Sequence, residues 1–327
     1  MPLVSVCIPS YNHEKYIGEL IQSVLDQTLT DFELIICDDK SSDNTPSVIE
    51  SFKDSRIQKY FNKENLGVAA NINKVLSIAR GKYVVGIGSD DLMLPDNLRR
   101  KVEVLEKNPQ VGFVYSDYIE INEKGNSTGR KRPRNPDHDC VISNEVCFIR
   151  LMQEGNFIAA SSVMTRKECF DRLGLYDERL RSNQDYEMWL RISLQYDCAY
   201  LSEPLIKYRW HATNITHDYL NENSLAGSLQ DCLCKEIAMG HFRRVKANFL
   251  SKENLSAIYE NIGRHYLWIN ETQKARILLF NSLRYRILKF TNWRLFFISL
   301  FPKFILMNLK KIIAKTIKVS QKLQAAK

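Results

Sequence analysis

The first third of the chain alternates short apolar runs with amphipathic segments, and this alternation restricts the possible fold more than any other feature. The runs LVSVCI, FELIIC and KYVVGIG are rich in β-branched residues and are apolar at consecutive positions. Between the first two, apolar residues recur at positions 17, 20, 21, 24 and 25, which is helical spacing. Strands that are apolar on both faces and alternate with helices indicate a mostly parallel sheet with helices on both faces. The sequence therefore predicts an α/β fold.

Polar clusters stand at the ends of three of the predicted strands. They are Pro9-Ser10-Tyr11-Asn12, Cys37-Asp38-Asp39 and Ser89-Asp90-Asp91. In open α/β sheets, ligands bind beyond the carboxyl ends of the strands, where these clusters would meet. Neighbouring carboxylates repel each other unless a positive charge lies on them. Hard oxygen ligands suit Mg²⁺ or Mn²⁺, and such an ion commonly bridges a diphosphate, so the clusters predict a site for a metal and a nucleotide.

Two other nucleotide-binding classes fit the sequence poorly. Gly86 and Gly88 could begin a dinucleotide-binding fingerprint, but its third glycine position is Asp91, whose charge would repel a pyrophosphate. This argues against a dehydrogenase. A nucleotidyltransferase is also disfavoured, because no basic glycine-rich loop lies near the N-terminus.

Nine sequence blocks, in order and spacing, resemble the family 2 glycosyltransferases of the GT-A fold. They run from about Leu3 to His211 and read VSVCIPSYN, SVLDQT, FELIICDDKSSDNT, NLGVAANIN, ARGKYV, GSDDLMLPDNL, GLYDERL, NQDYEMWLR and YRWH. The resemblance implies a GT-A domain that moves a sugar from a nucleotide-diphosphate donor to an acceptor hydroxyl, with inversion at the anomeric carbon. It also implies Mn²⁺ or Mg²⁺ as cofactor, and a UDP-sugar is the expected donor.

The resemblance also implies roles for individual residues. Donor binding falls to Pro9, Ser10, Tyr11, Asn12, Asp39, Asn65, Asn71 and Asp90. Among these, Pro9 and Tyr11 would frame the base, Asp39 would accept from its imide N–H, and Asp90 would hold the ribose side. Asp91 would bind the metal, and His211 would add a metal or diphosphate contact. Helix capping explains Asn65 and Asn71 nearly as well, and a purely structural role suits His211 equally well.

The catalytic role falls to Asp185, within NQDYEMWLR. Transfer to a hydroxyl needs a carboxylate that takes the acceptor proton while the bond to the anomeric carbon forms. Asp185 matches the base of the family. The alternative is that it is simply an acidic residue at a helix N-terminus, which the helix dipole favours.

The chain departs from the family at three places. Gly88 replaces the first acid of the usual acidic triplet, and Gln184 replaces the acid that often precedes the base. The Gln-x-x-Arg-Trp block of processive synthases is missing, because position 206 is Ile206. We therefore expect single addition of a sugar to a glycan or lipid-linked acceptor. Because the acidic triplet has lost one acid, a second possibility is a non-catalytic nucleotide-sugar-binding or scaffold protein.

The net charge of +8 comes from the C-terminal end, since Arg276 to Lys327 carries 12 Lys and Arg and no Asp or Glu. Past Pro302, apolar positions 306, 309, 313 and 317 share one side of a predicted helix, and lysines share another. Such a basic amphipathic helix, with aromatic residues before it, is typical of contact with an anionic membrane. A helix packed on the catalytic domain is the alternative, and nucleic acid is disfavoured.

These features predict two regions, a GT-A catalytic domain over residues 1–218 and a helical region with a membrane-associating tail over residues 219–327. The first predicted strand begins almost at the first Met, so we expect no signal peptide. The eight cysteines contain no C-x-x-C pair and are expected to be reduced thiols. The expected location is the cytoplasm, at the inner face of the cytoplasmic membrane.

Overall fold

A nine-stranded sheet forms the centre of the protein. The computed structural model describes residues 1–129, 135–212, 214, 225–244, 249–286 and 290–300, with backbone alone for 225–228 and 290–292. The strands are β1 (Val4–Ser10), β2 (Phe32–Asp38), β3 (Ile57–Phe61), β4 (Tyr83–Gly86), β5 (Leu92–Met93), β6 (Val111–Asn122), β7 (Cys140–Ile142), β8 (Val163–Arg166) and β9 (Asp197–Trp210).

The strand order is β3-β2-β1-β4-β8-β6-β9-β5, with β7 also paired to β9. The first half is parallel, since β1 pairs in parallel with β2 and β4, and β2 with β3. The second half is mixed, because β8 runs antiparallel to both β4 and β6. The expected α/β class is therefore confirmed, but the sheet is mixed rather than mostly parallel. A strand buried on both faces is apolar throughout in either orientation, so its sequence does not reveal its direction.

Helices cover both faces of the sheet, as the sequence predicts. They are α1 (Ile17–Leu25), α2 (Thr45–Ser51), α3 (Val68–Ile78), α4 (Asn97–Lys107), α5 (Asn144–Glu154), α6 (Lys167–Leu173), α7 (Gln184–Ile192), α8 (Leu225–Arg244), α9 (Lys252–Trp268), α10 (Thr272–Tyr285) and α11 (Phe290–Ser299). One apolar core lies between the sheet and α1, α2 and α4. A larger core lies on the other side and includes residues of α3, α5, α7, α8, α9 and α10.

The C-terminal region is helical, which agrees with the sequence analysis, and it shares the larger apolar core with α7. The division proposed between residues 218 and 219 falls outside the described residues, as does the predicted amphipathic helix past Pro302. Both stay predictions. No helix within the described ranges is long and apolar enough to cross a membrane.

At the amino ends of β1 and β4, the backbone of β1 lies close to Gly81, two residues before β4. A Cβ on Gly81 would lie 2.5 Å from the backbone nitrogen of Ser5, so only glycine fits there. The Ser5 hydroxyl accepts the Gly81 N–H at 2.8 Å and donates to Glu33 at 2.6 Å. These contacts fix β1 against β4 and thereby the opposite, carboxyl ends of both strands.

Candidate functional site

A cavity of about 710 Å³ opens at the carboxyl ends of β1, β2 and β4. Most of the residues that the sequence analysis selected line it: Pro9, Ser10, Tyr11, Asp39, Asn65, Asn71, Asp90, Asp91 and Asp185. Asn12 and His211 do not line this cavity. A single space therefore brings together the strand-end clusters of the first half of the chain and the proposed base from the second half.

Asp39 is buried and anchors the loop that precedes α3. Its Oδ1 accepts from Asn62 Nδ2 at 2.7 Å and from the Leu66 N–H at 2.9 Å, and its Oδ2 accepts from the Gly67 N–H at 2.9 Å. A carboxylate offers about four acceptor positions, so one remains for a ligand. Asp39 can thus shape the cavity wall and still accept from a nucleotide base.

The three predicted asparagines hold loops together. Asn71 Nδ2 donates to the Cys37 carbonyl at 3.0 Å, and Asn65 Nδ2 donates to the Asp39 carbonyl at 3.2 Å. Asn12 has a left-handed backbone with φ of 52°, and its Oδ1 accepts from the Ser42 N–H at 2.8 Å. These contacts join the ends of β1 and β2 to neighbouring loops, so these residues position the walls of the cavity.

Asp90 and Asp91, side by side in the sequence, have different surroundings. Asp90 Oδ2 lies 2.9 Å from His211 Nε2 and 3.1 Å from Asn214 Nδ2. Asp91 is buried, and its Oδ1 accepts from the Arg209 N–H at 2.8 Å. Burial, and then the charge of Asp90, raise the pKa of Asp91 well above the usual value, which a hydrogen bond from Ser161 partly opposes.

Arg209 hydrogen-bonds to both members of the acidic pair, and its charge favours the ionised form of Asp91. Its side chain is almost fully buried, and Nε donates to the Asp90 carbonyl at 2.8 Å. The same guanidinium donates to Glu19 at 2.7 Å and to the Glu123 carbonyl at 3.2 Å, and it lies 4.8 Å from the centre of the Tyr16 ring. Arg209 therefore holds the backbone of Asp90 in place.

Three side chains form the only candidate metal-binding group within the part of the chain that the structure describes. One ligand atom each from His13, Asp90 and His211 lies within 4.8 Å of the other two. Burial lowers the pKa of His13, which favours the neutral imidazole that can bind a metal. His13 Nδ1 lies 2.6 Å from the Ser89 hydroxyl, which orients the ring.

His211 of this group was predicted as a metal ligand from the sequence, whereas His13 was not. Asp91 was the predicted acidic ligand, and the group contains Asp90. His13 lies one residue beyond the first strand-end cluster, and that position was the signal available in the sequence. The metal role given to Asp91 stays a prediction.

Gly88, which replaces an acid of the family, leaves room for the Asp90 carboxylate. A Cβ at this position would lie 2.8 Å from Asp90 Oδ1 and 3.3 Å from Asp91 Oδ2. The Gly88 N–H donates to the Ser161 hydroxyl at 3.0 Å. A side chain at position 88 would therefore push the Asp90 carboxylate away from His211. The present positions of the Asp90 and Asp91 carboxylates thus depend on glycine at position 88.

Asp185 lies in the first turn of α7 and lines the same cavity as the strand-end residues. Asn156 Nδ2 donates to its Oδ2 at 3.0 Å and orients the carboxylate. Burial raises the pKa of Asp185, and the charge of Asp231 adds to this effect. A carboxylate with a raised pKa is a stronger proton acceptor than an ordinary aspartate.

Several buried polar atoms of the cavity have no hydrogen-bond partner among the described residues. They are Ser10 Oγ, Ser182 Oγ, Gln184 Oε1 and Trp189 Nε1, and all four residues line the cavity. Leaving such an atom unpaired costs about 1–3 kcal/mol, and native proteins rarely accept this without a reason. Three of the four belong to the segment around Asp185, so this wall is suited to binding a polar ligand rich in hydroxyl groups.

Comparison with solved structures supports the fold. Residues 1–349 of S. aureus TarS, solved with UDP-GlcNAc, superpose with a TM-score of 0.65 and 17% identity, over 86% of this chain and 81% of that one. The mannosyltransferase PcManGT of Pyrobaculum calidifontis, solved with GDP-Man and Mn²⁺, gives a TM-score of 0.53 and 19% identity, over 86% and 75%. Both likenesses concern the fold alone.

Sequence relatives are glycosyltransferases. The uncharacterized glycosyltransferase MJ1057 of Methanocaldococcus jannaschii is 32% identical over 213 residues, 64% of this chain and 71% of its own. WfgD of Escherichia coli, named as a UDP-Glc:α-D-GlcNAc-diphosphoundecaprenol β-1,3-glucosyltransferase, is 30% identical over 222 residues, 67% and 82%. An uncharacterized glycosyltransferase of Rickettsia felis is longer, and the match covers 39% of it.

The sequence model of glycosyl transferase family 2 matches residues 5–174, more than half of the chain. This range contains all but the first residue of β1, the whole of β2 to β4, and the three strand-end clusters, members of which line the cavity. The chain therefore belongs to glycosyl transferase family 2 and is a glycosyltransferase with the GT-A fold.

Proposed function

We propose that the protein transfers one sugar from a nucleotide-diphosphate donor to a saccharide hydroxyl, with inversion, and that Asp185 is the catalytic base. The observation that carries this proposal is the position of Asp185. Its carboxylate is oriented by Asn156, has a raised pKa, and lines the same cavity as the strand-end residues Pro9, Tyr11 and Asp39. A base and a nucleotide subsite that line one cavity can act on the same bound sugar.

In the proposed reaction, the acceptor oxygen forms a bond to the anomeric carbon while the bond to the diphosphate oxygen breaks. The Asp185 carboxylate takes the proton of the acceptor hydroxyl, and the nucleoside diphosphate leaves with the electron pair. Attack opposite to the leaving group inverts the anomeric configuration. The base must be ionised, so activity should rise with pH through the raised pKa of Asp185.

The donor is proposed to be a UDP-sugar whose base lies against Tyr11, with its imide N–H donating to Asp39. Tyr11 is half exposed, and Asp39 keeps one acceptor position. Ser10, Asn12, Asn65, Asn71 and Asp90 would shape or contact the donor side. The solved complexes of TarS with UDP-GlcNAc and the name of WfgD support a uridine donor, while GDP-Man in PcManGT supports the wider nucleotide-sugar class.

A divalent cation is proposed to bind at His13, Asp90 and His211. These side chains fit a metal because their ligand atoms converge and the pKa of His13 favours its neutral form. Two imidazole ligands favour Mn²⁺ over Mg²⁺, which prefers oxygen ligands. When bound, such an ion would neutralise charge on the leaving diphosphate. Asp91, with its Oδ1 engaged by the Arg209 backbone, would support Asp90 or join the coordination as a second carboxylate.

The acceptor is proposed to be a glycan or a lipid-linked saccharide. Unpaired polar atoms of Ser182, Gln184 and Trp189 beside Asp185 supply hydrogen-bond partners for sugar hydroxyls. The name of WfgD, whose acceptor is a diphosphoundecaprenol-linked sugar, supports a lipid-linked acceptor. The missing processive block supports single addition.

Contact with an anionic membrane is proposed through the C-terminal region. Four apolar residues of this region are each about half exposed: Ile277 and Phe280 on α10, Phe297 on α11, and Leu300 directly after α11. The rings of Phe280, Phe296, Phe297 and Trp293 lie within 6.3 Å of one another in successive pairs. This aromatic patch lies in a stretch without acidic residues, which matches a surface of anionic lipids. At the membrane, the enzyme would work on the cytoplasmic side.

The membrane proposal can be tested with the full chain. Phe280→Ser together with Phe297→Ser should reduce binding to phosphatidylglycerol vesicles severalfold, while Phe61→Ser, an exposed ring on β3, should not. Equal binding by all three proteins would contradict a role for the aromatic patch.

The enzyme proposal is tested by measuring release of nucleoside diphosphate from a panel of sugar nucleotides, with Mn²⁺, with Mg²⁺ and with chelator. We expect release from one uridine donor, highest with Mn²⁺ and lost with chelator. His211→Ala and His13→Ala should raise the Mn²⁺ concentration needed. If Asp91→Ala raises it instead and the His variants do not, the metal lies at Asp91. Donor binding without release from any sample would favour the scaffold alternative.

A further inference from the structure

Helix α8 of the C-terminal region contacts the residue at the start of α7, the helix that carries Asp185. This residue, Asn183, has a left-handed backbone with φ of 57° and ψ of 22°. Its carbonyl accepts the Glu187 N–H at 3.1 Å in the first turn of α7. A left-handed conformation is tolerated by asparagine but is uncommon, so contacts from the surroundings are needed to maintain it.

Two side chains of α8 provide such contacts. Asp231 Oδ1 accepts from Asn183 Nδ2 at 2.6 Å, and Cys234 Sγ donates to the Asn183 carbonyl at 3.3 Å. The side chain of Asn183 does not cap its own helix, which is the usual use of an asparagine in this place. Its amide donates to Asp231 instead. Helix α8 therefore fixes both the side chain and the backbone of the residue from which α7 begins.

Asp231 also lines the cavity and acts on Asp185 through its charge. The groups that face Asp185 are Asn156, the Tyr176 phenol, the Cys234 thiol and Asp231. Asp231 in turn faces Lys235 of its own helix and His265 of α9, which oppose the rise that burial causes in the pKa of Asp231. Among the described groups facing Asp185, Asp231 is the other carboxylate, so its charge favours the protonated form of the base.

We propose that Asp231 is a positioning residue for the transfer reaction: through Asn183 it fixes the first turn of α7, which carries Asp185. Its carboxylate lines the same cavity and would repel the ionised Asp185. The C-terminal helical region is then part of the active site. This inference rests on the proposed function for the role of Asp185 as base, but the contact between the two regions does not.

Three variants separate the hydrogen bond from the charge. Asp231→Asn keeps an oxygen that can accept from Asn183 but removes the charge. Asp231→Ala removes both, and Asn183→Gly removes the hydrogen bond while keeping a residue that adopts positive φ. Glu253→Gln, an exposed acid at the start of α9, is the matched control for loss of one negative charge.

We would measure kcat for nucleoside-diphosphate release from pH 4 to 9, together with donor affinity. Asp231→Asn should move the acid limb to lower pH, since removal of the charge lowers the pKa of Asp185. Asp231→Ala and Asn183→Gly should lower kcat by about 10- to 100-fold with unchanged donor affinity, because a displacement of about 1 Å has this effect. Glu253→Gln should match the wild type.

A second readout does not depend on turnover. The protein is labelled with ¹³C at the γ-carboxyl carbon of its aspartates, and NMR follows the chemical shift of each carboxyl with pH. The signal absent from Asp185→Asn is that of Asp185, so its titration is observed directly. An unchanged titration in Asp231→Asn, together with unchanged kcat in Asp231→Ala, would overturn the proposal. If Asp185→Asn keeps full turnover, the assignment of the base is wrong, while the NMR titration still decides whether Asp231 acts on Asp185.

Discussion

Replacing Asp39 by Asn separates the anchoring role of this residue from its role in donor binding. Asp39 Oδ1 accepts two hydrogen bonds, and Oδ2 accepts one from the Gly67 N–H. An asparagine in the best orientation keeps the two bonds to Oδ1 and places its amide NH₂ against the Gly67 N–H. At least one charge-assisted bond is lost, which amounts to about 1.5–3 kcal/mol. We therefore expect Asp39→Asn to lower the free energy of unfolding by about that amount.

Urea denaturation followed by fluorescence measures this change, and donor affinity is measured on the same samples. Asp26→Asn, the same substitution at an exposed residue of the C-cap of α1, should change the free energy of unfolding by less than about 0.5 kcal/mol. Donor affinity should fall for Asp39→Asn alone. Weaker donor binding with an unchanged free energy of unfolding would contradict the anchoring role, because Asp39 would then contact the donor without holding the loop.

Two further substitutions test features of the cavity. Ser10→Ala removes a buried hydroxyl that lacks a partner in the described structure, so the free energy of unfolding should stay equal or rise while donor binding weakens. The control, Ser5→Ala on the same strand, removes a paired hydroxyl and should lower the free energy of unfolding by about 1–3 kcal/mol. Equal stability losses in the two variants, measured by urea denaturation, would contradict this. Gly88→Ala should weaken Mn²⁺ binding about 10-fold with little change in melting temperature, because its Cβ displaces the Asp90 carboxylate. Calorimetric titration with unchanged affinity would exclude this crowding.

The fold and the position of the cavity could be predicted from the sequence because periodicity and strand-end chemistry are local properties. The spacing of Ile17, Leu20, Ile21 and Val24 predicts the buried face of α1, and all four are buried. The end of β2 at Asp38 also follows from the pattern. The direction of β8 could not be predicted, since Val163–Arg166 is buried throughout and its pairing depends on strands distant in the sequence.

The partners within the site depend on contacts between distant residues, and sequence spacing does not reveal them. His13 and His211 are about 200 residues apart and meet only because β9 ends beside the loop after β1. The same holds for Asp231, which contacts Asn183 from a helix whose sequence carries no recognisable motif. Arg209 belongs to the block YRWH, but its contacts with the Asp91 carboxylate and the Asp90 backbone are visible only in the structure.

The proposed role of Asp185 as the catalytic base is tested by comparing the wild type with Asp185→Asn, using the sugar nucleotide that the wild type cleaves. Nucleoside-diphosphate release and donor affinity are measured with the same Mn²⁺ concentration. Glu253→Gln, an exposed acid at the start of α9, is the control for loss of one negative charge. We expect Asp185→Asn to keep donor affinity within about twofold of the wild type and to lose about 10²–10⁴-fold in turnover. The control variant should match the wild type in both. Turnover at the wild-type rate in Asp185→Asn would contradict it.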